Sequence, residues 1–184
     1  MTPEDPDSTE LQSVFEAKVA EELRQADRLA PGSDVVRFRG SVLATVLCVK
    51  GLPGPAEVSG GAAVSGADGE AALKGLAALG YEEDDVAFVL SRPDPSLAHD
   101  RLIARLARVI EAVDPTVVLA LDQTAAADVF EAVDVAAAKP GVAVRSSGRR
   151  VVALDGLEAS LGDEGAKKRI WRQMKSAAPE GPIF

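Results

Sequence analysis

Residues 42–69 read VLATVLCVKGLPGPAEVSGGAAVSGADG. The segment opens on an apolar run, Val42 to Val49, rich in β-branched residues. A run of that length and kind predicts a strand buried on both faces, as strands of parallel sheets are. The chain then breaks into a loop in which Gly51, Gly54, Gly60, Gly61, Gly66 and Gly69 are interspersed with Pro53 and Pro55. A helical pattern resumes near Asp68. A buried strand, a glycine loop and a helix form the unit from which open α/β sheets build ligand sites at the carboxyl edge of their strands. The loop is about twice the usual connection length, which marks it as functional, disordered or a remnant of function.

Outward from this segment, strands and helices alternate. Toward the N-terminus, Leu11, Val14, Phe15, Val19, Leu23 and Leu29 recur at helical spacing until Pro31-Gly32 ends the pattern. Val35–Phe38 and the strand from Val42 flank Arg39-Gly40-Ser41, which predicts a short hairpin. Toward the C-terminus come a helix ending at Gly80 and a strand over Val86–Leu90. An amphipathic helix over Leu97–Val113 follows, with Arg105 placed off its apolar stripe. A second buried strand over Thr116–Leu121 precedes a short helix over Gln123–Phe130. Val142–Val144 and Val151–Leu154 read as a hairpin around Gly148, and a last helix runs to Lys175. This alternation predicts an α/β domain with a mostly parallel sheet covered on both faces, in three α/β/α layers. Residues 11–177 form one domain in this reading, between a loose tail over 1–10 and an irregular tail over 178–184.

Composition bounds the function. The 184-residue chain is 47% hydrophobic, enough to build a core, and carries a formal net charge of −9. That charge opposes general binding to a phosphate backbone. Cys48 is the single cysteine, so disulfides and thiolate clusters are excluded, in keeping with a reducing cytoplasm. No apolar stretch reaches the roughly 20 residues of a membrane span. Neither a Walker loop nor a strict dinucleotide fingerprint occurs, and no cofactor or metal is expected. His99, the only histidine, reads as a solvated helix-start residue, and Glu82–Asp85 as a solvated turn. Trp171 reads as a core anchor. Two basic clusters stand against the acidic background: Arg145, Arg149 and Arg150 in the hairpin, and a set beginning with Lys167 and Lys168 on the last helix.

Several pieces then fall in a familiar order. Pro53-Gly54 is followed by the glycine spacing of Gly61–Gly69, and then by Ser91-Arg92-Pro93. Next come Pro115–Asp122 with Ala125-Ala126, and finally Lys167–Trp171. This series resembles the uracil-DNA glycosylase superfamily, in particular its bacterial and archaeal iron–sulfur branch, over roughly residues 20–177. The resemblance implies that fold and places an ancestral pocket at Gly51, Pro53, Gly54, Val64, Gly66 and Gly156. It also implies nucleic-acid contact at Arg145, Arg149, Arg150, Lys167 and Lys168. The family's water-orienting acid falls on Gly51, its base-stacking phenylalanine on Val64, and its histidine near Asp155-Gly156. The base-reading asparagine has no counterpart, and one cysteine cannot hold a cluster. Base excision needs a stacked, hydrogen-bonded base and charge stabilisation at the sugar. The expectation is therefore a glycosylase-like protein without excision activity that binds a protein or nucleic-acid partner. The alternative is a divergent glycosylase or small-molecule hydrolase using Asp122, Asp155 or Glu57. A pure interaction protein, which the acidic charge favours, is the third.

Overall fold

A computed structural model describes residues 6–31, 36 and 38–181. Its centre is a six-stranded sheet in the order β1-β3-β2-β4-β6-β5. The strands are β1 (Arg39–Gly40), β2 (Val46–Lys50), β3 (Val86–Leu90), β4 (Val117–Ala120), β5 (Val144–Ser146) and β6 (Arg149–Ala153). β3, β2, β4 and β6 are mutually parallel, and β1 and β5 close the edges antiparallel. The helices are α1 (Pro6–Asp27), α2 (Pro55–Val58), α3 (Ala67–Leu79), α4 (His99–Val113), α5 (Gln123–Ala132), α6 (Leu157–Ser160) and α7 (Glu164–Met174). Among the described residues no helix is long and apolar enough to cross a membrane.

Side-chain alternation along the strands generates two cores. Val46, Cys48, Phe88, Leu119 and Val152 point to one face, where Leu76 of α3, Leu157 of α6 and Ile170 and Met174 of α7 meet them. Leu47, Val49, Val89, Val118 and Val151 point to the other, against Val19 and Leu23 of α1, Leu106 and Ile110 of α4, and Val129 and Phe130 of α5. Both faces are filled, so the central strands carry no polar alternation. Burial pushes the Cys48 thiol up to about 12, which leaves it a small hydrophobe.

The expected strands at 86–90 and 116–121 and the hairpin around Gly148 are present. The hairpin expected around Arg39-Gly40-Ser41 is not. Arg39 and Gly40 pair antiparallel with Phe88 and Ala87 of β3, and not with the strand that follows them. Val35 and Arg37 of that stretch lie outside the described residues. Contact with a strand nearly fifty residues away completes the sheet edge, and local spacing carries no trace of it. The apolar run from Val42 enters the sheet only at Val46. The long glycine loop is broken by the single turn of α2, with Pro55 in its first turn. α1 begins at Pro6, so residues 6–10 of the expected tail are helical.

Connectivity decides where a ligand can sit. From β2 the chain passes through α3 to β3 on one side, then returns through α4 to β4 on the other side of β2. β2 and β4 are adjacent, and their outgoing connections leave in opposite directions. That is a topological switch point, where the ends of neighbouring strands leave a crevice.

Candidate functional site

The crevice at the carboxyl ends of β2, β4 and β6 is a cavity of about 580 Å³. Lys50, Leu52, Pro53 and Gly54 follow β2 into it, Leu121 to Thr124 follow β4, and Asp155 to Ala159 follow β6. Backbone bonds knit this edge beyond the strands. Leu121 donates to the Val49 carbonyl, Leu154 to Ala120 and Leu157 to Leu121, each at 2.8 Å. The loops that line the cavity are thereby held by the sheet itself.

Lys50 is the chemical centre of the cavity. It is the last residue of β2, and its side chain is 7% exposed. Its ammonium lies 2.7 Å from Asp68 Oδ2, 3.1 Å from Glu158 Oε2 and 3.7 Å from Glu57 Oε2. Burial opposes its charge, but the hydrogen bonds to Asp68 and Glu158 and the charges of Asp68 and Glu57 outweigh that. The Lys50 amine is held above its ordinary value of 10.5. A lysine so held is a fixed cation and neither a base nor a nucleophile. Asp68 also accepts from the Gly69 amide at 3.0 Å, and Glu57 Oε2 from the Gly54 amide at 2.9 Å. Glu57 Oε1 is the one buried side-chain polar atom among the described residues that lacks a partner.

The expected carboxylates divide between two places. Asp122 and Asp155 line the same cavity, while Glu57 is buried beside Lys50 and is not among the lining residues. Asp122 caps α5: Oδ1 accepts from the Ala125 amide at 2.8 Å, and Oδ2 from the Gly51 amide at 2.9 Å. Both its oxygens are engaged by backbone, as an N-cap requires. Asp155 accepts from Gln173 Nε2 at 2.7 Å and faces Arg169 Nε at 3.3 Å.

Of the ancestral pocket positions, Pro53, Gly54 and Gly156 line the cavity and Gly51, Val64 and Gly66 do not. A Cβ at Gly51 would stand 2.6 Å from Thr124 Cβ and 2.8 Å from Asp122 Oδ1, so the space for a side chain there is taken. Val64 is fully buried in the core shared by α3 and α7, turned away from the cavity.

The expected nucleic-acid contacts lie elsewhere. Arg150 is paired with Val117 at the start of β4, so the hairpin arginines sit at the amino edge of the sheet. About 13 Å of strand separates Arg149 from the cavity edge at Ala153. Arg149 bonds Asp114 at 2.8 Å, Arg150 donates to the carbonyls of Ser176 and Ala178, and Arg145 pairs with Glu180. These arginines fasten the C-terminal segment and the end of α4. Lys167 and Lys168 are exposed on α7, with Lys167 2.7 Å from Glu164. Ser91 and Arg92 both clasp the buried Asp128 of α5, at 2.6 Å and 2.8–2.9 Å. His99 bonds Glu131 at 2.9 Å on the exposed α4–α5 surface.

Lys50, Asp68 and Glu158 are the charged cavity residues that sequence reasoning missed. One signal was available for Lys50, a charged residue closing an otherwise apolar parallel strand at its carboxyl end. Asp68 and Glu158 come from distant segments and give no local signal. The chain matches no known protein-family model, and comparison with characterised proteins finds no significant sequence match.

Proposed function

We propose that this protein is a three-layer α/β/α domain of uracil-DNA glycosylase-like architecture that has lost base excision and works as a binding module. In this reading the carboxyl-edge cavity is its ligand site. The parallel strand order and the placement of the cavity at the switch point support the architecture. The observation that carries the function is the state of the charged groups around the cavity. Lys50 is saturated by carboxylates, and both oxygens of Asp122 serve as acceptors for backbone amides. A general base needs an unengaged acceptor facing the reacting proton; Lys50 and Asp122 are bound already, and Asp155 Oδ2 is held by Gln173 and Arg169. Four carboxylates against one lysine line the cavity. It therefore suits an ammonium, a guanidinium or another group rich in donors, and repels phosphate.

The test is excision of uracil and hypoxanthine from single-stranded and duplex oligonucleotides, with gel shifts at low and high salt. The expected outcome is neither cleavage nor salt-sensitive binding. Release of free base by the pure protein, lost in Asp122→Asn or Asp155→Asn, would refute the proposal. It would support the second reading, a divergent glycosylase or small-molecule hydrolase, which the shared cavity of Asp122 and Asp155 favours.

A further inference from the structure

The apolar stripe of α1 outruns the surface that it covers. Val19, Leu23 and Ala26 pack into the core beside α4. One and two turns earlier, Phe15 and Leu11 continue the stripe at i, i+4 spacing, joined by Val14. They are 60%, 71% and 64% exposed. Large apolar side chains clustered on successive helical turns and left in water mark an interaction surface.

An apolar groove flanked mostly by bases lies across the sheet. Between α3 and α7 runs a groove of about 480 Å³, floored by Ala71, Leu157, Ile170, Trp171 and Met174. Lys74 and Lys167 stand on its rim, with Glu70 the single acid there, 4.0 Å from Lys74. Lys168, Arg172 and Lys175, at i, i+4 and i+7, form the adjoining stripe of α7 beside Trp171. Residues 9–16 carry two acids, Glu10 and Glu16, and no base, whereas residues 164–175 carry five bases and one acid. The two surfaces are complementary in both hydrophobicity and charge.

We propose that the first turns of α1 from one copy lie in the α3–α7 groove of a second copy, with Leu11 and Phe15 against Trp171. The anchors of α1 are on the face of the sheet opposite the groove, so the helix cannot reach the groove of its own chain. The contact is heterologous: each copy offers a helix at one end and a groove at the other. Such contacts close into rings or propagate. This inference is independent of the carboxyl-edge cavity and of what fills it.

Sedimentation velocity from micromolar to millimolar protein, with emission from the single tryptophan, tests the proposal. Association should grow with concentration, shift the Trp171 emission and weaken in high salt. Phe15→Asp should raise the concentration needed by about tenfold or more while leaving the melting curve intact, because Phe15 is exposed. Ala71→Glu, which obstructs the groove, should raise that concentration by a similar factor. Mixed together, Phe15→Asp still offers a groove and Ala71→Glu still offers a helix. The pair should therefore form a one-to-one complex that neither variant forms alone. A wild-type chain that stays monomeric throughout would overturn the proposal. So would association that Phe15→Asp leaves unchanged, or variants that fail to complement one another.

Discussion

Gly69 shows how closely one residue is fixed by its neighbours. A Cβ at this position would overlap the carbonyl oxygen of Val64, which the tight turn before α3 brings against the helix. Val64 itself has φ 52°, a conformation that β-branched residues adopt only under compulsion. Its side chain is fully buried, so the core holds the backbone in that state. Gly69→Ala should therefore cost about 3 kcal/mol or more, since the turn has to open or Val64 has to leave the core. Chemical denaturation of the variant measures this, and a loss below about 1 kcal/mol would show that the turn yields freely. The glycine spacing that includes Gly69 was legible in the sequence as a pattern. The backbone contact that demands it was not, because it depends on a carbonyl five residues earlier in a strained turn.

Among the elements, α4 is where the sequence pattern was most informative and also where it misled. The apolar stripe through Leu102, Leu106, Val109 and Ile110 is buried as its spacing predicts. Its charge sets Arg105 off that stripe, yet it is 1% exposed. Its guanidinium donates to the Leu90 carbonyl at 3.0 Å and to Asp27 Oδ1 at 2.8–3.0 Å, joining the end of β3 to the end of α1. Hydrophobic periodicity sorts residues by transfer energy and cannot register a charge whose partners arrive from elements 15 and 78 residues away. The same limit hid the Lys50 cluster and the pairing of β1 with β3, while the apolar central strands and their helices were plain. Removing the guanidinium leaves a buried carbonyl and a half-exposed carboxylate unmatched. Arg105→Ala should destabilise by about 3 kcal/mol, near the low end for a broken buried ion pair. Asp27→Ala should cost at least as much, because it leaves a guanidinium that is 1% exposed without its counter-charge. Urea melts of both variants decide this; a loss below about 1 kcal/mol in Asp27→Ala would mean that the ion pair contributes little.

At the scale of the whole molecule, the net charge of −9 is unevenly spread, with carboxylates at the carboxyl edge of the sheet and bases on α7. Two buried groups, Lys50 and Tyr81, make this arrangement sensitive to alkali. Burial is the largest influence on Lys50 and opposes its charge, but Asp68 and Glu158 prevail and hold the amine above 10.5. Burial likewise pushes the Tyr81 phenol above its ordinary 10.0, with its hydroxyl donating to the Ala177 carbonyl at 2.7 Å. In both cases the folded value exceeds the unfolded one. The stability each contributes is complete below its unfolded value and is lost as pH rises through the folded value. Denaturation midpoints should therefore hold steady to about pH 10 and fall beyond it. Tyr81→Phe, losing one buried hydrogen bond at a cost of about 1 kcal/mol, should make that fall shallower. Lys50→Met should be destabilised by about 3–5 kcal/mol at neutral pH, because Asp68 and Glu57 lose their cation. An alkaline fall that is identical in wild type, Lys50→Met and Tyr81→Phe would assign it instead to the general self-repulsion of an acidic chain.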